Sequence, residues 1–204
     1  LDALVEADEM QLDIATANGR PYVHQFSVGL HARLVHQRQR LDTSTRFRKI
    51  TSTIQSLGRV ILNPPRFGVE IDTGTGRTRQ IVSAVAVSNN LFGDTALAYA
   101  AALDEGTLGI YRSRALEPGK VFRMTLRAAV GKLREDPDMS VEPAQRVTLN
   151  FPNARRASKA AIDGEIIPLE QEVECICHPG ALRTLVPKSY AASIAAREPH
   201  RKTA

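Results

Sequence analysis

The chain has 204 residues, of which 43% are hydrophobic and 24% charged, with a formal net charge of +5. This is room for one sizeable domain or two small ones of ordinary globular composition. No apolar run reaches the roughly eighteen residues of a spanning helix, so no transmembrane segment is expected, and without tryptophan and with 5% aromatics the core must rest on Val, Ile, Leu and Ala.

The first residues, Leu1 to Glu6, carry neither an initiator Met nor the basic-then-apolar pattern of a signal peptide, so a trimmed or partial chain is expected. Leu12-Asp13-Ile14-Ala15, the turn pair Asn18-Gly19 and Tyr22 to Phe26 read as a hairpin within Leu12–Gly29. Arg33, Arg38, Arg40, Arg46, Arg48, Lys49 and Arg59 are opposed locally only by Asp42, which fits either a polyanion-facing patch or a solvated helix face. Phe47, Ile50, Ile54, Leu57 and Ile61 recur at helical spacing, predicting a helix over about Thr43–Leu62 that ends at Asn63-Pro64-Pro65. Phe67–Asp72 alternates like a strand. After Thr73-Gly74-Thr75-Gly76, Gln80–Val87 is apolar almost throughout, as in a strand buried on both faces. Leu108–Tyr111 is a further short strand.

Lys120–Arg134 reads as a second helix, with Phe122, Leu126, Ala129 and Leu133 as its apolar stripe and Asp136-Pro137 as its stop. Strands follow at Arg146–Phe151, Ala160–Ile162 and Val173–Cys177, with another at Leu182–Val186. Ser189–Arg197 reads as a short helix before a basic tail. The order is not a repeating βαβα alternation. It predicts a mainly β domain, an antiparallel β-sandwich with two or three embedded helices, spanning residues 1–187, with 188–204 as a terminal helix and tail.

Taken one at a time, the chemistry-bearing segments have plain readings. Thr73-Gly74-Thr75-Gly76-Arg77 leads into a strand and lacks Gly-Lys-Ser/Thr, so it is a hairpin turn rather than a phosphate loop. Leu103-Asp104-Glu105-Gly106 is a polar turn whose carboxylates and carbonyls are suited to a hard cation. Ile162-Asp163-Gly164-Glu165 is a tight turn that would fix a carboxylate able to accept a hydroxyl proton. Cys175 and Cys177 are two apart, too close for a useful disulfide and too few for zinc. They read as packed strand residues in a reducing, cytoplasmic setting. His24, His31 and His36 show no partner pattern.

The order and spacing of these segments resemble the carboxyl-terminal domain of bacterial diacylglycerol kinases and their sphingosine-kinase-like relatives, from Leu12-Asp13-Ile14 to about Val186-Pro187. Ser27-Val28-Gly29-Leu30 resembles the small-residue segment after the first hairpin, and Ser88-Asn89-Asn90-Leu91-Phe92-Gly93 the Asn-to-Gly loop after the buried strand. Leu103-Asp104-Glu105-Gly106 stands at the acidic turn, and Asp163-Gly164-Glu165 matches the Asp-Gly-Glu signature. The resemblance implies a two-domain, ATP- and Mg²⁺-dependent lipid kinase. The Gly-Gly-Asp-Gly-Thr nucleotide loop of such kinases would lie on an amino-terminal domain absent here, leaving this chain inactive alone. It further implies Glu165 as general base, Asp163 in the acidic network around Mg·ATP, Asn89 and Gly93 at the cleft, and a structural Mg²⁺ at Glu105 with the backbones of Ala102 and Thr107. The family usually has Asp at position 105 and often a second Gly where Asp94 stands. The implied partners are a lipid substrate, the nucleotide-binding domain and an anionic membrane surface touched peripherally, with a homodimer left open and no nucleic acid expected, since the basic stretch has few aromatics for stacking. The alternative reading is a non-catalytic module that binds anionic lipid or another polyanion.

Overall fold

The computed structural model describes residues 7–39, 58, 61–93, 100, 102–155 and 158–188. Among these residues, eleven strands and two α-helices are laid out as β1 (Ala7–Ala17), β2 (Arg20–Tyr22), β3 (Gln25–Gly29), α1 (Leu30–Gln39), β4 (Phe67–Asp72), β5 (Arg77–Asn89), β6 (Leu108–Arg114), α2 (Pro118–Ala129), β7 (Met139–Ala144), β8 (Arg146–Asn150), β9 (Lys159–Ile162), β10 (Glu165–Pro168) and β11 (Glu172–Pro187), with a 3-10 turn at Leu133–Glu135. Every strand pairing is antiparallel. The strands form one sheet in the order β10-β9-β3-β5-β4-β8-β11-β1-β2, with β6 and then β7 branching from β5. It is the expected mainly β, sandwich-like domain, built from a single curled sheet.

The apolar strand expected at 80–87 is the centre of this sheet. β5 lends Arg77–Val82 to β4 and Ala84–Ser88 to β3 along one edge, while β6 runs along the other with a register shift between Val82 and Val85. Paired on both edges, the strand buries Val82, Val85 and Val87 fully, but Ile81 is 67% exposed and Ala84 and Ala86 are half-buried, so only one of its faces is enclosed where the apolar run predicts both. The curl brings the two ends of the sheet path together. Arg20 of β2 meets Glu165 of β10 at 2.8 Å, and Asn18 Nδ2 donates to Glu170 Oε2 at 3.0 Å. Phe26, Ile71, Leu149, Phe151 and Val173 fill the space between the layers.

Several sequence readings are corrected. The hairpin turn at Asn18-Gly19 forms, both residues having positive φ (47° and 77°) as a type I′ turn requires. Its second strand stops at Tyr22, however, and Gln25–Gly29 leaves to pair with β5 and β9. The two strands expected at 173–177 and 182–186 are one sixteen-residue strand. It continues through Pro179-Gly180 because a register shift between Leu12 and Ile14 of β1 absorbs the irregularity there. α1 and β7 had no counterpart in the sequence reading. Of the helix expected over Thr43–Leu62 only Gly58, Ile61 and Leu62 are described, and all three are helical; its other residues, most of the basic cluster from Arg38 to Arg59, and the terminal helix at 189–197 lie outside the described residues. No described helix is long and apolar enough to cross a membrane.

The second helix is present but ends at Ala129, and the part of its expected stripe that lies on it faces outward: Phe122 is 56% and Leu126 53% exposed, and Ala129 is exposed too, while Leu133, beyond the helix end, packs on the core. Val121 and Met124 are buried instead, packed with Leu30 and Leu116. The cause lies beyond the helix. Arg123 donates to Asp136 through Nε and Nη2, both at 3.0 Å, and also reaches Asp138; Arg127 lies 3.6 Å from Asp136. Pinned by these arginines, the helix turns a face away from the one that apolar periodicity alone selects. Burial would raise the Asp136 carboxyl, but the Arg123 hydrogen bonds, the Asp138 N–H and the charges of Arg123 and Arg127 outweigh it and hold the carboxyl below its ordinary value. A depressed folded pKa contributes stability that is present above the unfolded value of about 3.9 and is lost as pH falls through the lower folded value. Asp136→Asn should therefore lower the melting temperature at pH 7 and flatten its further fall below about pH 4. Thermal unfolding across pH 2–7 measures this; parallel curves for variant and parent would show that the cluster does not hold the helix.

Candidate functional site

The site is built around the β9–β10 turn at the seam of the sheet. Asp163 and Gly164 both have positive φ (46° and 84°), so the reversal is a two-residue turn that holds the next side chain, Glu165, at the strand start. The Asp163 carboxylate accepts hydrogen bonds from the backbone N–H groups of Val23 (2.8 Å), His24 (2.9 Å) and Gln25 (3.0 Å). In return, Asp163 N–H donates to Gln25 O at 3.0 Å. The link between β2 and β3 thus wraps one carboxylate, as backbone N–H groups wrap an anion in a nest. Gln39, the last residue of α1, donates its side-chain amide to Gly164 O at 3.1 Å, so the turn is gripped from both sides.

Glu165 is an exposed side chain with Oε2 on Arg20 Nη2 at 2.8 Å. Among the described residues its Oε1 has no partner. His24, whose backbone N–H is held by Asp163, lies against Phe92 with ring centroids 5.7 Å apart. The His31 ring is 2.8 Å from Ser27 Oγ and 3.2 Å from Gln25 Nε2. Burial lowers the pKa of both histidines; the Asp163 charge opposes this at His24, and the neighbouring His24 adds to it at His31. Both rings are therefore neutral at pH 7, when each can accept one hydrogen bond and donate another.

The other expected site residues form a second, buried knot. Asn89 is 3% exposed, and its amide donates to Asp13 O at 2.9 Å, while its Oδ1 has no partner among the described residues. Asn89 N–H donates to His24 O at 2.9 Å, which ties this knot to the Asp163 turn. Gly93 stands half-buried just after Phe92. The turn at 103–106 is organised by two residues the sequence did not single out. Asp13, 3% exposed, accepts from Gly106 N–H at 2.6 Å and Gly180 N–H at 3.0 Å. Asn90, at φ 67°, accepts Glu105 N–H at 3.1 Å through Oδ1. Ala102 is buried, and Thr107 O accepts Asn90 N–H at 3.0 Å. The oxygen donors of Glu105, Ala102 and Thr107 have the hardness Mg²⁺ prefers, but the Asp13 carboxylate beside them is already engaged by two N–H groups. Among the described residues no group of three or more His, Cys, Asp or Glu side chains converges.

Arg20, His24 and His31 are the neighbours that sequence reading passed over. Arg20 meets Glu165 across 145 residues of chain, and only the curl of the sheet brings them together. The glycine-rich turn at 73–76 joins β4 to β5 with a strand on either side, as a hairpin and not a phosphate loop. Cys175 and Cys177 are buried free thiols on one face of β11. Burial, the leading cause for each, pushes them up to about 12 and about 11, so neither is a thiolate nucleophile at neutral pH.

No family model matches the chain. Solved structures do. Three from Bacillus anthracis str. Sterne, one described as a diacylglycerol kinase and two provisionally so, superpose with TM-scores of 0.53 for the first and 0.57 for each of the other two, at 14%, 16% and 18% identity. Each covers 86% of this chain, whereas the chain spans only 53–56% of their length. At these identities the likeness is one of fold, and it is the fold of part of a longer protein.

Proposed function

We propose that this chain is the acceptor-side domain of an ATP-dependent lipid kinase that transfers the γ-phosphate to a lipid hydroxyl, such as that of diacylglycerol. The observation that carries the reading is the fold shared with diacylglycerol kinase structures over 86% of the chain; a tight turn at the sheet seam then presents Glu165 with one carboxylate oxygen uncommitted. Glu165 is the general base for the attacking hydroxyl. Asp163, its carboxylate engaged by three backbone N–H groups, is a positioning residue that fixes the hairpin carrying the base. Phosphoryl transfer asks a protein mainly for alignment and charge neutralisation, and ATP with Mg²⁺ supplies the phosphoryl group. The sequence contains no Gly-Gly-Asp-Gly-Thr loop, so the nucleotide is held chiefly by a separate domain. In this reading Asn89 and Gly93 brace the nucleotide side of the cleft, and Glu105 is the carboxylate available to a structural cation. The test is transfer of labelled phosphate from Mg·ATP to diacylglycerol and to long-chain bases by the full-length enzyme. Labelled lipid phosphate is expected, and its absence with every lipid alcohol would leave a non-catalytic lipid-binding module.

The substrate is a lipid, so the domain must meet a membrane peripherally. The face of α2 that carries Phe122 and Leu126, with Val130 66% exposed beyond the helix end, has the shape of an interfacial amphipathic helix, and Arg123, Arg127 and Lys132 flank it. Burying two such side chains from about half exposure contributes on the order of 2 kcal/mol. Phe122→Ser with Leu126→Ser should therefore weaken sedimentation with phosphatidylglycerol vesicles by at least about tenfold. Unchanged partitioning would remove α2 from the membrane face.

A further inference from the structure

A cavity of about 830 Å³ opens at the other end of β3 and β9 from the Asp163 turn. β3 runs from Gln25 beside the turn to Gly29 on the cavity wall, about 13 Å at the usual strand rise, so the two sites are separate. The cavity's volume is within the range of small-ligand pockets. Its floor is apolar: Val28 belongs to the core, and the rings of Phe67 and Phe151 lie 6.2 Å apart. Its rim is cationic. Arg33, Arg66, Arg155 and Lys159 line it together with His36, and among the described residues no acidic one does.

No described carboxylate neutralises these cations. Among the described residues none of the four is in an ion pair, although seven other arginines are. Arg33 gives one N–H to Asn63 O at 3.2 Å and Arg66 one to Leu116 O at 3.3 Å. These neutral acceptors orient the guanidinium groups and leave the other donors free. Guanidinium groups recognise phosphate through paired N–H donors, and an aromatic floor excludes a ligand that is polar throughout. We infer that this cavity binds a phosphate-headed lipid, with the phosphate monoester among Arg33, Arg66, Arg155 and Lys159 and the first carbons of its chains over Phe67 and Phe151. The inference goes beyond the proposed kinase reading and stands whether or not the chain supports phosphoryl transfer.

Position 68 allows a sharp test. A Cβ built on Gly68 meets nothing within 4 Å, and Gly68 is on the cavity wall, so Gly68→Leu adds its first side-chain carbon to open space at the wall and is expected to narrow the cavity. Isothermal titration of the full chain would use three short-chain probes below their aggregation limits: dihexanoyl phosphatidate, dihexanoylglycerol and glycerol 3-phosphate. The phosphatidate is expected to bind at least tenfold more tightly than either of the others. Gly68→Leu should weaken it at least tenfold, and so should the double variant of the exposed residues Arg155→Glu and Lys159→Glu. Equal binding of glycerol 3-phosphate would show a bare phosphate site, and equal binding of dihexanoylglycerol a greasy slot; either overturns the inference. Unchanged phosphatidate affinity in Gly68→Leu would also overturn it, because attraction by cations elsewhere on the chain survives that substitution.

Discussion

Gly29→Ala should destabilise the domain by about 3 kcal/mol or more, the largest loss expected from adding a single methyl group. Gly29 ends β3 and starts α1 at φ 91°, a left-handed conformation that costs an L-residue roughly 1–2 kcal/mol. A Cβ there would collide with the backbone carbonyl of Ser83 and come within 2.7 Å of Phe67 Cε1. The carbonyl belongs to the central strand β5 and cannot move without disturbing the ladder it shares with β3 and β6. The strain would fall on α1, which follows directly and whose last residue, Gln39, reaches the Asp163–Gly164 turn. Chemical denaturation gives the stability loss, and proton exchange at the amides of Val23 to Gln25 would rise with it. Exchange unchanged at those amides would show that α1 does not support the turn.

Glu165→Gln should lower kcat of the full-length enzyme by about 10²–10⁴-fold, the range by which a positioned general acid or base accelerates a reaction. The amide has the carboxylate's shape but cannot take the hydroxyl proton, and Glu165 is exposed, so the fold should survive. The exposed ion pair with Arg20 contributes little to stability, and a melting temperature within a few degrees of the parent separates lost chemistry from lost structure. Arg20→Gln is the companion variant. It releases the carboxylate from its partner and leaves the base in place, so its kcat should stay far above that of Glu165→Gln. Equal losses in both variants would mean that the pair acts only as a clasp across the seam.

The strands announced themselves where local chemistry was decisive. Asn18-Gly19 and Asp163-Gly164 are two-residue turns because those backbone angles are best tolerated by Asn, Asp and Gly, and the apolar run at 80–87 marks the central strand, although its Ile81 is left exposed. The second helix was visible, but its buried face was not. Apolar periodicity favoured Phe122 and Leu126, whereas the helix is turned by Arg123 and Arg127 reaching Asp136 and Asp138, polar contacts that carry no weight in a hydrophobic pattern. The site was legible in outline only. The Asp-Gly-Glu turn marks itself, but the hydrogen bonds of Asp163 to Val23–Gln25 and the pairing of Glu165 with Arg20 come from sheet closure across some 140 residues of chain. Asp13 was read as an ordinary hairpin residue for the same reason: its partners, Gly106 and Gly180, are distant in sequence.

The most direct measurement is the structure of the full-length enzyme with a lipid alcohol and a non-transferable ATP analogue bound together. The acceptor oxygen should lie about 2.6–3.2 Å from a Glu165 carboxylate oxygen, the reach of a general base, and in line with the terminal phosphate. An acceptor oxygen seated elsewhere, with Glu165 still held only by Arg20 and facing solvent, would contradict the account.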